Sequence, residues 1–571
     1  MRQRIYLGLA LCCAGGLLLL GCGTPSPQRR KAARTIPPAT AIASGQEKID
    51  YSPAAVERRT EAHARYAAGV LHDWDEEPEL AAAEYLKAAQ ADPGNELLVL
   101  EVSERLLRLK QTEPALQLLI KAIAEPDASG LLFARLGLLY SLSGKKEQAI
   151  EANRTAIKKS PEALAGYRHL AQLYFQSAQY DEGVKVLDQA AKLTGGDAAF
   201  LIELAELYIP FIRSKTADNI KARALEVFNR AAQLKPANPL LMQKLADGFT
   251  VLGKNDQATE TYLKLLDRFP GLPGLREKLA DLYLRQQDRK RAAEQLEEII
   301  RNNPTNPQAY YLLGSIAYEE KKLKEAVGYF NKTILLNPAF ERVYYELAEV
   351  LIRSNKPQDA LDALANVRSR FPQNFINEFL TALAYGRMKD YTNALKHLEG
   401  AEIIARATDT NRLTHIFYYQ LGSTYERIQK FDDAELYFKK CLTLSPDYSE
   451  GLNYLGYMWA ERGVHLPEAR EMIQKAVKLE PKNAAFLDSL GWVLFKLDKP
   501  KEALPYMLKA LENSEEPDST LYDHLGDIYS SLHQAEKARE AWQKAVSIEP
   551  NEQIQKKLGP AATSGSPPHQ P

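Results

Sequence analysis

The apolar and small positions of this chain recur with one period. Small residues stand at Ala81, Ala115, Ala149, Gly183, Ala224, Ala258, Ala292, Ala326, Ala360, Ala394, Ala434, Ala469, Ala503 and Ala538, 34 residues apart except for single intervals of 41 and 40 and two of 35. Other positions keep register with them. One full set is Leu136, Gly137, Tyr140, Ala149, Ala156 and Pro161; another is Leu525, Gly526, Tyr529, Ala538, Trp542, Ala545 and Pro550. A small residue in each of two paired helices lets them approach closely, a large apolar residue fills the remaining gap, and proline stops the second helix. The pattern predicts about fourteen helical hairpins. One hairpin cannot bury its own apolar face, so each must stack on its neighbours.

This register, over about residues 61–551, resembles the tetratricopeptide repeat, in which Ala holds the small position in thirteen of the fourteen copies. The resemblance implies an all-α solenoid, a right-handed superhelix whose concave wall is made by the first helix of each repeat. Repeats 2, 4 and 10 fit least well: the second ends early at Pro126, the fourth has Gly195 in place of proline, and the tenth carries Thr381 and Ala382 at the turn of its first helix. The long intervals locate two insertions. One lies near 210–219, between the helices of repeat 5; the other, about 402–408, is expected to prolong the preceding helix. Residues 552–558 are expected to form a short cap, and 559–571 a disordered tail.

The first residues break the pattern. Arg2 and Arg4 precede an apolar run, 5–20, that is too short and too rich in Gly for a bilayer-spanning helix, which is the form of an export signal. The run ends Leu19-Leu20-Gly21-Cys22, which resembles a bacterial lipobox; an ordinary leader cysteine is the alternative reading of the residues alone. The resemblance implies cleavage before Cys22, a signal peptide at 1–21, and a diacylglycerol and N-acyl lipid on Cys22. Each buried methylene is worth about 0.8 kcal/mol, so two or three such chains anchor stably. Gly23, rather than Asp, follows Cys22, which by the same resemblance implies the outer membrane with the body in the periplasm. Residues 22–57 are expected to be a flexible linker that carries Arg29, Arg30, Lys31 and Arg34, and 58–558 the solenoid. A flexible chain of that length spans roughly 30 Å root-mean-square.

Charge and cysteines narrow the functional classes. Basic and acidic side chains number 73 and 74, and removal of the leader leaves 71 against 74, a net of -3, so nothing suggests nucleic-acid binding. Cys441 is the sole cysteine beyond Cys22, which excludes an internal disulfide framework. It holds a small position of a second helix, where a buried inert thiol is expected. There is no phosphate-cradling loop, zinc helix or nucleophile elbow, and His169, His397, His415, His465, His524 and His533 are scattered singly. The sequence therefore predicts no enzyme, catalytic residue, metal, small-molecule substrate or cofactor beyond the lipid on Cys22.

In the family's register the concave wall uses positions 2, 5, 9, 12 and 13 of each first helix. Position 5 gives Tyr311, Tyr345, Phe379 and Tyr419 in repeats 8–11, and neighbouring wall positions add Tyr318, Tyr457, Trp492 and Phe495. Two roles are open to these rings. They can line a peptide groove, since rigid aromatics give large contact area at little entropic cost, or they can wedge between successive first helices as core. Repeats 5–7 instead place Glu206, Gln243, Asp247, Glu277 and Asp281 there, either an acidic half of the groove or a solvated face. The Lys/Arg/Asn clamp with which some relatives hold a C-terminal carboxylate is missing, for Arg342 and Asn453 stand in non-adjacent repeats.

The block 452–512, with Leu455-Gly456-Tyr457, Leu479-Glu480-Pro481 and Leu487-Asp488-Ser489-Leu490-Gly491-Trp492, is similar to the end of outer-membrane tetratricopeptide lipoproteins that serve as adaptors for periplasmic carboxyl-terminal processing proteases. That implies protein or peptide partners, among them such a protease and its substrates in cell-wall turnover. The alternative is a structural scaffold of an envelope secretion, pilus or exopolysaccharide export assembly.

Overall fold

The computed structural model describes residues 52–193, 195–213 and 217–558. The leader, the lipidation candidate Cys22, most of the expected linker and the tail 559–571 lie outside them. Among the described residues the chain is all helix: fourteen hairpins followed by one short helix, Glu552–Leu558. No described helix is long and apolar enough to cross a membrane. The described residues fall into two compact units, divided between His169 and Leu170. The first holds repeats 1 to 3, from Pro53–Trp74 to Lys146–Lys159; the second holds nearly all of repeats 4 to 14.

The period is explained by the contact within each hairpin. All thirteen alanines of the small position are at most 1% exposed. Four residues further on, one turn along the second helix, stands the side chain that fills the gap: Tyr85, Leu119, Leu187, Phe228, Tyr262, Leu296, Phe330, Leu364, Leu398, Phe438, Ile473 and Met507 are all buried. The facing position of the first helix is small because this side chain lies on it. A Cβ added to Gly314 would stand 2.6 Å from Phe330, and one on Gly422 2.8 Å from Phe438.

Local signals start and stop each helix. Most first helices open on side-chain caps, as where Asn306 accepts from the Ala309 amide at 3.0 Å just before Pro307–Glu319. Second helices end where a following proline forces extended backbone, as at Ser160, Asn337 and Ser445. Twelve hairpin turns carry a left-handed residue five positions before the small one; only Gly144 and Gly253 among these are glycine, the others including Glu76, Lys321 and Gln429. In repeat 12 the first helix, Ser449–Arg462, is 14 residues long, and Gly463 and His465 are the left-handed residues of its turn.

Both insertions lie where the spacing put them. In repeat 5 a 3-10 helix, Ile209–Arg213, separates Ala198–Tyr208 from Ala217–Gln233. In repeat 10 the second helix runs on to 18 residues, Tyr391–Thr408. The second helices of repeats 2 and 4 are short, 11 and 12 residues; the early Pro126 accounts for the first. The linker boundary at 57 needs correction. Pro53–Trp74 is already helical over 53–57, because Ser52 caps it by accepting from the Ala55 amide at 3.3 Å and Pro53 suits a first turn.

Candidate functional site

Within the second unit the first helices of consecutive repeats touch one another, for instance Glu341–Arg353 on Phe375–Arg387 and Ser449–Arg462 on Ala484–Lys496, and so form a wall. Burial decides between the two roles left open for its aromatic rings. Tyr311, Tyr345 and Trp492 are 7, 9 and 7% exposed, so their reading as groove lining is corrected: they are core. The cause is the next repeat, whose first helix closes over each ring.

Tyr311 packs on Phe340, 4.9 Å between centroids, and its hydroxyl donates to Glu346 at 2.8 Å. Tyr345 donates to Glu341 at 2.5 Å and accepts from Asn374 at 2.6 Å. Burial, with the neighbouring carboxylates, pushes both phenols well above their usual range. Phe379 stacks on Phe375 at 5.6 Å, and Tyr419 meets Tyr448 and Tyr454 edge-on at 5.5 and 5.7 Å. Tyr318 donates to Glu349 at 2.7 Å, with Arg353 over its ring. Phe379, Tyr419, Tyr318, Tyr457 and Phe495 keep part of their surface in solvent.

Repeats 12 to 14 hold a polar cluster that sequence reasoning treated as scattered residues. Trp492 stacks on His524 at 3.9 Å and on Phe495 at 5.1 Å, while His524 Nδ1 lies 2.9 Å from Asp488. Tyr457 is 6.3 Å from the same histidine. The Trp492 indole N–H and the Asn453 amide oxygen are both buried without a hydrogen-bond partner. A signal for the cluster exists in the sequence: Asp488 and His524 are separated by 36 residues, one 35-residue interval and one position more, which sets them on adjacent first helices.

The acidic stretch is not a free acidic face. Glu206 pairs with Lys244 at 3.0 Å, Asp281 with Arg285 at 2.8 Å, and Asp247 accepts from both Tyr262 and Lys278. Arg342 is spent on Glu346 at 2.7 Å. Cys441 is fully buried, and that burial pushes its thiol up to about 12. Among the described residues no three His, Cys, Asp or Glu side chains are gathered to hold a metal ion.

The family described as tetratricopeptide repeat matches residues 134–198, 277–339 and 345–411, and two further descriptions of the same repeat match 380–447 and 454–555. Together these spans take in more than half of the chain. A TPR repeat-containing protein of Pseudomonas aeruginosa, PA4667, is 43% identical over 82 residues, 14% of each protein. The yeast heat shock protein STI1 is 28% identical over 118 residues, 20% of this chain and 19% of its own. The chain thus spans only a small part of these relatives' lengths. Among solved structures, the Cut9-Hcn1 complex aligns over 81% of this chain and 90% of that one at 15% identity, with a TM-score of 0.35. A tetratricopeptide repeat protein of Parabacteroides merdae aligns over 46% and 96% at 20% identity, also with a TM-score of 0.35.

Proposed function

Since the chain belongs to the tetratricopeptide-repeat family, we propose that it is a lipid-anchored binding protein of the bacterial envelope that holds other proteins on its first-helix wall and performs no chemistry itself. The observation that carries the binding role is the tiling of the described residues: paired helices and their turns follow one another from Pro53 to Ile548. What this surface offers a partner is the partly exposed rim of Tyr318, Phe379, Tyr419, Tyr457 and Phe495, a set of aromatic anchors of which the three tyrosines carry polar tips.

In this reading Cys22 carries the lipid and the body lies in the periplasm, held to the outer membrane. The support is the Leu19-Leu20-Gly21-Cys22 run behind a short apolar leader. The partner is a periplasmic carboxyl-terminal processing protease, for which the chain is an adaptor that presents substrates of envelope turnover. The support is the similarity of the block 452–512 to the end of such adaptors.

Affinity capture from solubilised membranes with the full chain, beside a Cys22→Ser variant and metabolic labelling with palmitate, tests both parts. The expected result is a soluble protease in the eluate and label on the native chain alone. Recovery of export-machine subunits instead would replace the adaptor by a scaffold, and label on Cys22→Ser would remove the anchor.

A further inference from the structure

The two ends of the repeat array are finished differently. At the C-terminal end the helix Glu552–Leu558 covers the last hairpin, burying Ile554 and placing Lys557 Nζ 2.8 Å from both Asp523 and Asp527. At the other end the first helix, Pro53–Trp74, turns Ala55, Ala62 and Gly69 inward and leaves the opposite side open. Val56, Thr60, His63, Ala67, Val70, Leu71 and Trp74 are all exposed. At 3.6 residues per turn they share one face, about 100° wide. Trp74 is 83% and Leu71 59% exposed, whereas Trp459 and Trp492 are buried. An array of repeats needs a polar surface at each end, and this face is apolar.

Carboxylates cluster just where that helix ends: Asp73, Asp75, Glu76, Glu77 and Glu79. Arg105 engages Asp73 at 2.7 Å and His72 engages Glu77 at 2.8 Å; Asp75, Glu76 and Glu79 are exposed. We propose that the chain's own upstream segment, residues 29–43, covers this face, with Arg29, Arg30, Lys31 and Arg34 among the carboxylates and Ile36 and Ile42 on Trp74 and Leu71.

Three observations select this occupant. Residues 22–46 contain those four basic side chains and no acidic one. The chain joins the helix at Ser52, the end away from the carboxylates. The 22-residue helix is about 33 Å long, and the 18 residues from Arg34 to Ser52 extend to about 59 Å, so the basic cluster reaches the far end. A lipid surface of anionic headgroups would meet the carboxylates with like charge, and so would the same face of a second copy. The inference stands apart from the adaptor reading. Where Cys22 carries a lipid, it leaves only residues 22–28 as free tether and keeps the first hairpin close to the bilayer.

Acrylamide quenching of Trp74 in the full chain, isolated by difference against Trp74→Phe, tests the proposal. Variants are R29E/R30E/K31E/R34E, D75K/E76K/E79K, and the two sets combined. The expected result is quenching several-fold weaker in the native chain than in either reversed variant, with protection regained in the combined one. Free quenching in the native chain overturns the proposal. So does protection that ignores charge reversal, whether it is lost on dilution, which indicates a second copy, or appears only with phosphatidylethanolamine and phosphatidylglycerol vesicles, which indicates a lipid surface.

Discussion

The ring of Phe211 occupies the space beside Gly183 that an alanine methyl fills in every other repeat: a Cβ built on Gly183 falls 2.5 Å from Phe211 Cε1. Phe211 belongs to the 3-10 insertion of repeat 5, is 3% exposed, and meets Phe175 edge-on at 5.2 Å. The lone glycine of the small position and the first long interval are thus one feature. The insertion folds back on the preceding hairpin and takes the methyl's place.

Gly183→Ala is expected to lower stability by about 1–3 kcal/mol through overpacking, although alanine is the better helix former. Trimming the ring as well, Gly183→Ala with Phe211→Leu, is expected to recover part of that loss, since neighbouring sites couple. Denaturant titration of the three chains reads both effects.

Lys321 holds a left-handed conformation, φ 63°, in the turn of repeat 8. A side chain there costs roughly 1 kcal/mol against glycine. Lys321→Gly is expected to raise the unfolding midpoint slightly, and Lys321→Ala to leave it near the native value.

Tyr311 serves the core, so its substitutions act on stability before they act on binding. Tyr311→Phe removes the hydrogen bond to Glu346 at a cost of about 1 kcal/mol, and Tyr311→Ser empties the site at about 3–5 kcal/mol. Thermal melting followed by circular dichroism is expected to rank them in that order. Tyr318→Ser, at a partly exposed ring, is expected to cost less than Tyr311→Ser.

Glu378 is 4% exposed, within 2.5 Å of His397 Nδ1 and accepting from Gln373 at 3.0 Å. Burial pushes its carboxyl up, but the bonds from His397 and Gln373 outweigh burial and hold it below the ordinary glutamate value of 4.5. The ionised form therefore favours the fold. Its contribution is complete above that ordinary value and is lost as pH falls through the lower folded-state value. Melting temperature is expected to fall more steeply with acid below pH 4.5 in the native chain than in Glu378→Gln.

The repeats were legible because small and large residues face each other inside one hairpin, where 34-residue spacing and helical periodicity suffice to find them. The insertion of repeat 5 was legible as a length but not as a wedge, since nothing in Phe211's neighbourhood in the sequence points to Gly183. The poor fit of repeat 10 has the same kind of cause: Arg368 of the preceding repeat reaches Thr381 at 3.1 Å and supports a polar residue where leucine is usual. Three of the eight aromatic rings, Tyr311, Tyr345 and Trp492, proved to be core for a tertiary reason. Tyr311 and Tyr318 look alike in spacing, yet the next first helix buries the former and only borders the latter. Left-handed turns passed unnoticed because Lys, Gln and Glu tolerate that conformation at small cost and give no compositional mark.

The central claim is that partners are held on the wall of first helices. Photo-crosslinking in cells, with the reactive residue placed at Tyr318 or Phe495 on that wall and at Leu335, 71% exposed on a second helix, tests it most directly. The account predicts a discrete adduct with another envelope protein from both wall positions and none from Leu335. An adduct from Leu335 alone, or none from either wall position, would contradict it.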